Sequence, residues 1–143
     1  MMDIPMMSLL GFTLWTIFLL LATVGVYRWR RILTGRTAIS RFVAGDDLGD
    51  EWYGRAMRAH ANCIENLPLF AVLVFAASLL HVRSNVFDVL ALTVVAARIA
   101  HSLIHVSLVQ SDRVVAFRFL FYFIQVAAFL AMAAMLLGRA LAP

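Results

Sequence analysis

Arg58, Asn62 and Glu65 stand at i, i+4 and i+7 within the stretch Arg55 to Phe70, RAMRAHANCIENLPLF. That spacing puts all three on one stripe of a helix, with Arg55 one turn further back. A second stripe holds Arg98, His101 and His105 at spacings of three and four, and Arg113 and Arg118 follow it. Such residues grip anions: a guanidinium is a rigid fork of N–H donors that matches a carboxylate. Six or so cationic groups face one acid set in apolar sequence, Glu65. Internal pairs such as Arg58–Glu65 or Glu65–Arg98 would leave most of that charge unmatched, so an anionic ligand is favoured over a purely structural network. Metal binding is the weaker option, because His101 and His105 have chelating spacing but no third ligand, and the arginines repel cations. Cys63, the only cysteine, excludes an intramolecular disulfide and reads as a buried, inert thiol.

The elements that must position these groups are membrane helices. Hydrophobic residues make up 64% of the 143-residue chain, and mean hydropathy is +0.91, far above a globular domain. The class is all-α: one integral membrane four-helix bundle over residues 1–143, with helices at about 8–31, 52–80, 86–109 and 112–138. The uncharged run Ser8 to Tyr27 covers 20 residues, about 30 Å of helix and one hydrocarbon thickness. With Arg28, Arg30 and Arg31 after it, this reads as a retained first helix with a stop-transfer flank, Tyr27 and Trp29 lying at the interface. The connection from Ile32 to Glu51, with Gly35, Gly45 and Gly49, is too polar to cross. Asp50 or Glu51 suits the positive end of the next helix, Pro68 should bend that helix and free the Ile64 carbonyl, and Asp112 can cap the fourth.

All basic residues are arginine, and the net charge is +4. In a membrane chain this reads as topology and not as nucleic-acid binding. Arg28, Arg30, Arg31, Arg36, Arg41, Arg55, Arg58, Arg113 and Arg118 fall at one end, and only Arg83 and Arg139 at the other. The first and third connections are therefore expected in the cytoplasm and both termini outside.

The run Arg58-Ala59-His60-Ala61-Asn62, then Glu65 and Pro68, resembles the signature of the MAPEG family, the membrane-associated proteins of eicosanoid and glutathione metabolism. Size, helix number, the long first connection, Arg98-x-x-His101 and the basic start of the fourth helix agree with it along the whole chain. The resemblance implies a homotrimer with glutathione, as co-substrate, bound between subunits near the cytoplasmic side. It implies contacts to glutathione from Arg58, Asn62 and Glu65, with His60 at a neighbouring position in the sequence, His101, His105 and Arg98 from the third helix, and an arginine of the first, where Arg28, Arg30 and Arg31 compete and Arg30 and Arg31 are the candidates. It gives Arg113 the catalytic role of polarising the thiol. Eicosanoid-making relatives often carry tyrosines where this chain has His105 and Phe117. The activity implied is a glutathione transferase or peroxidase acting on an apolar electrophile or lipid hydroperoxide. A non-catalytic lipid-binding or scaffold protein of the same fold stays open beside it. The short chain and arginine-only basicity favour a bacterial inner membrane.

Overall fold

The computed structural model describes residues 3–43 and 46–142; Gly45 of the polar connection and the C-terminal Pro143 lie outside the described residues. Four helices, α1 (Ile4–Leu33), α2 (Glu51–Leu79), α3 (Asn85–Ser107) and α4 (Asp112–Leu141), are each long and apolar enough to cross a bilayer. A 3-10 turn at Ile39–Arg41 lies in the first connection, and no strand occurs among the described residues. The protein is a multi-pass integral membrane four-helix protein.

Local chemistry sets the helix starts. Asp3 caps α1 through Met6 N–H (3.1 Å), and Pro5 suits the first turn, so α1 begins before the apolar run expected from Ser8. Asp50 caps α2 by accepting from Tyr53 N–H (3.0 Å). Ser84 caps α3 through Phe87 N–H (3.5 Å). The cap of α4 is Ser111, which accepts from Val114 N–H (3.4 Å), and not the expected Asp112. Asp112 is the first helical residue instead, where its carboxylate faces the positive end of the dipole. At the end of α2, His81 takes a left-handed backbone (φ 52°). Val82 N–H then reaches Ala77 C=O at 2.9 Å and His81 N–H reaches Ser78 C=O at 3.2 Å, closing the helix. Helix α2 runs unbroken through Pro68.

Helix α1 departs from the regular helix that hydropathy predicts. Residues Leu20–Gly25 form a π-helical turn. Thr23 Oγ1 donates to Leu19 C=O at 2.6 Å, competing for a backbone acceptor. Gly25 leaves room for the Leu20 carbonyl, which a Cβ there would meet at 3.2 Å. The extra residue in the turn rotates the C-terminal part of α1 by about 100°. Beyond it, Tyr27 stacks on Tyr53 (centroids 4.2 Å) and Arg28 Nε donates to the Tyr53 hydroxyl at 2.6 Å, tying α1 to the start of α2.

Helix α3 packs against all three others. The interior holds Phe12, Phe70, Val74, Phe87, Ala91, Val94 and Met132, all sealed from solvent. Phe70 lies 5.8 Å from Phe12 and 6.1 Å from Phe129, centroid to centroid. Outward faces carry Leu14, Phe18, Val72, Phe75, Val89 and Leu130, the apolar surface that lipid requires of a spanning bundle.

Candidate functional site

A cavity of about 360 Å³ opens between α2, α3 and α4, lined by Asn62, Glu65, Asn66, His101, His105, Arg118, Phe119 and Tyr122. Its α2 wall is a stripe: Asn62, Glu65 and Asn66 fall within one turn, and Asn66 Nδ2 donates to the Asn62 carbonyl at 2.7 Å. Glu65 is exposed to the opening. Among the described residues its carboxylate has no ion-pair partner, since the ion pairs there are Arg55–Glu51 (4.0 Å) and Arg83–Asp3 (3.7 Å). The neutralising pairs Arg58–Glu65 and Glu65–Arg98 are not formed.

The α3 wall is set by hydrogen bonding. Arg118 Nη1 lies 3.3 Å from His105 Nε2 and 3.5 Å from its Nδ1. Arg98 Nη1 lies 3.5 Å from His101 Nδ1. A guanidinium has only donors, so the imidazole nitrogen it contacts must accept. For His101 that leaves Nε2–H as the ring's remaining donor. The two rings meet edge to face, with centroids 5.8 Å apart.

Arg98 itself does not line the cavity. It is only 1% exposed, with its guanidinium carbon 6.0 Å from the centre of the Phe12 ring, and Nε and Nη2 have no partner. Next to it, Ser102 Oγ donates to the Arg98 carbonyl (2.8 Å) and lies 3.5 Å from the buried Cys63 sulfur.

The other sequence-predicted residues are dispersed. Arg58 is exposed and lines a neighbouring cavity with Arg55, Glu51, Asp47, Val109 and Gln110, nearer the Arg-rich end than Glu65. The single ring of arginines around Glu65 is therefore divided between two cavities in one chain. His60 is half-buried and Arg113 is exposed in the first turn of α4; neither lines the central cavity. In α1, Arg28 is held by Tyr53, and Arg31 by Thr37 Oγ1 (2.9 Å) and the Tyr27 hydroxyl (2.8 Å). Arg30 is exposed.

Three polar lining residues were not among the expected ligands: Asn66, Arg118 and Tyr122. Their signals were present, because Asn66 is i+4 from Asn62 and Tyr122 is i+4 from Arg118. Tyr122 lines the cavity and is 40% exposed. Chemically, the site joins one guanidinium, two amides, two imidazoles and one free carboxylate, a set suited to a ligand bearing both acidic and ammonium groups. No group of three or more metal-type side chains occurs among the described residues.

A family model described as MAPEG family matches residues 6–138. Searches of curated proteins and of solved structures gave no match.

Proposed function

The chain belongs to the MAPEG family, a family broadly linked to glutathione and eicosanoid metabolism, and from that membership and the cavity we propose that it is a glutathione-dependent membrane transferase or peroxidase. The observation that carries the reading is Glu65, an unpaired carboxylate in a cavity that also holds Arg118, two asparagines and two histidines. Glutathione has one ammonium for that acid and two carboxylates for guanidinium forks. The seven residue steps from Arg58 to Glu65 rise about 10 Å along α2, and three residues of extended peptide reach about the same distance. A tripeptide can thus set its ammonium at Glu65 and a carboxylate toward Arg58, contacting both cavities. Arg30, the exposed arginine of the helix 1 trio, would serve the site of a neighbouring copy in a homotrimer, while Arg31 is engaged by Thr37 and Tyr27.

The thiolate is held by a guanidinium of α4. The motif match gives that role to Arg113; the cavity wall favours Arg118. A free thiol with pKa about 8.5 is only a few per cent ionised at neutral pH, and lowering it to about 7.5 raises the thiolate several-fold. Nucleophilic sulfur then attacks an electrophilic carbon of an apolar substrate arriving from the bilayer, past Phe119, and displaces its leaving group. Alternatively it attacks a lipid hydroperoxide, breaking the O–O bond to release the alcohol and a glutathione sulfenic acid that a second glutathione converts to disulfide and water. Arg98, through His101, supports the binding face. The Arg-rich end and the first and third connections are placed in the cytoplasm, in a bacterial inner membrane.

The test uses purified protein in detergent. Adding glutathione should produce an ultraviolet thiolate band, and an aromatic electrophile should be conjugated. Loss of the band in Arg118→Ala but not in Arg113→Ala assigns the sulfur to the cavity wall; the reverse assigns it to the first turn of α4. Binding without either thiolate or turnover overturns the enzyme reading in favour of a lipid-binding scaffold.

A further inference from the structure

The first connection carries arginine chemistry that the α2–α4 cavity does not use. Arg31, Arg36 and Arg41, with Thr37, line a cavity of about 520 Å³ where α1 ends. Three guanidiniums there face one carboxylate, Asp46, and Asp46 Oδ1 is engaged in accepting from Leu48 N–H at 2.8 Å. Arg31 is fixed from two sides by Thr37 Oγ1 and the Tyr27 hydroxyl. Arg36 and Arg41 are exposed and form no ion pair among the described residues. Three guanidiniums against one carboxylate leave an excess of positive charge that suits a phosphate.

Apolar residues flanking the cavity decide which phosphate. Trp29, Leu33, Ile39 and Val43 are 62%, 79%, 72% and 60% exposed, and each lies within two positions of a lining residue. A site for free phosphate has no use for that surface, and water disfavours it. Arginines alternating with exposed tryptophan and aliphatic side chains at the end of a spanning helix match the headgroup boundary, where charge meets phosphate and apolar tips enter the acyl region. We propose that the first connection is a binding site for an anionic phospholipid, its phosphate held by Arg31, Arg36 and Arg41 and its glycerol and upper acyl region resting on Leu33, Ile39 and Val43. The site is separate from the glutathione cavity and does not depend on that reading.

The full chain in neutral detergent is titrated with phosphatidylglycerol, phosphatidylcholine or inorganic phosphate while tryptophan fluorescence is followed, Trp29 being the reporter beside the site. Phosphatidylglycerol should give a saturable change that phosphatidylcholine does not. Arg36→Gln with Arg41→Gln, both exposed, should weaken it about thirtyfold. Arg83→Gln with Arg139→Gln, at the opposite end, should leave it unchanged. Equal binding of both lipids, equal competition by inorganic phosphate, or equal loss in the two double variants would each overturn the proposal, the last by reducing it to diffuse surface charge.

Discussion

Helices α2, α3 and α4 build two polar regions side by side that treat charge in opposite ways. In the open cavity, Glu65 presents an exposed carboxylate without a cation. In the sealed interior behind His101, Arg98 is 1% exposed without a carboxylate. A chain selected only for a stable membrane bundle would bring these two charges together, since an unpaired ion in an apolar environment is costly. The arrangement instead leaves the acid at the opening, and the buried cation touches an imidazole on the cavity wall. The carboxylate is therefore kept at the opening and the guanidinium behind the wall, and variants can separate the two.

The largest effect is expected deep in the sealed region. Phe70 is fully buried against Phe12 and Phe129. Phe70→Ala should cost about 3 kcal/mol of unfolding free energy, the low end of the range for water-soluble cores because lipid removes the hydrophobic driving force and leaves packing. Denaturation in mixed micelles reads it. Glutathione affinity of the folded fraction should not change; a variant as stable as the parent that has lost affinity would erase the boundary between the regions.

Glu65→Gln should do the converse. An exposed carboxylate with no ion pair contributes little to folding, so stability should stay within about 0.5 kcal/mol of the parent. Removing its charge from a ligand ammonium should weaken glutathione binding about 10- to 100-fold, as a charge-assisted hydrogen bond is worth about 1.5–3 kcal/mol. Calorimetric titration measures this, and unaltered affinity would take Glu65 out of the site.

The bundle was legible in the sequence because a spanning helix needs a long apolar run, and each of the four announced itself that way. Neighbour relations were less legible. Spacing places Arg98, His101 and His105 on one stripe, yet only the two histidines reach the cavity, since depth along the bundle is set by packing on α1 and not by periodicity. Arg113 and Arg118 are five residues apart, about 140° around α4, so just one can face α3; the sequence does not say which. Nor does Thr23 or Gly25 announce a π turn, because both residues also occur in regular membrane helices. That turn commits Arg28 to Tyr53, a distinction among the helix 1 arginines that composition alone leaves open.

A smaller effect is expected where the two regions touch. Arg98→Met keeps the length of the side chain and removes a buried guanidinium with two unpartnered nitrogens. Replacing such a charge with an apolar residue should leave stability unchanged or raise it. His101 would lose the contact that holds Nδ1 as the acceptor, and glutathione affinity should fall several-fold, about 1 kcal/mol. His101→Gln made in the Arg98→Met background should then add less than it does alone, because the two act through one ring. Full additivity would show that Arg98 acts independently of His101.

The smallest effect tests whether the cavity depends on the exposed end of α4. Ser111 is exposed, and its bond to Val114 N–H is long at 3.4 Å. Ser111→Ala should therefore fall near the low end of the range for losing an N-cap, about 0.5 kcal/mol. Fraying would reach Arg113 in the first turn before it reached Arg118, two turns in and held against His105. The thiolate band should be nearly unchanged if Arg118 holds the sulfur and measurably reduced if Arg113 does. The cap variant thus separates the two arginines without removing either, and its two outcomes should agree with those of Arg113→Ala and Arg118→Ala.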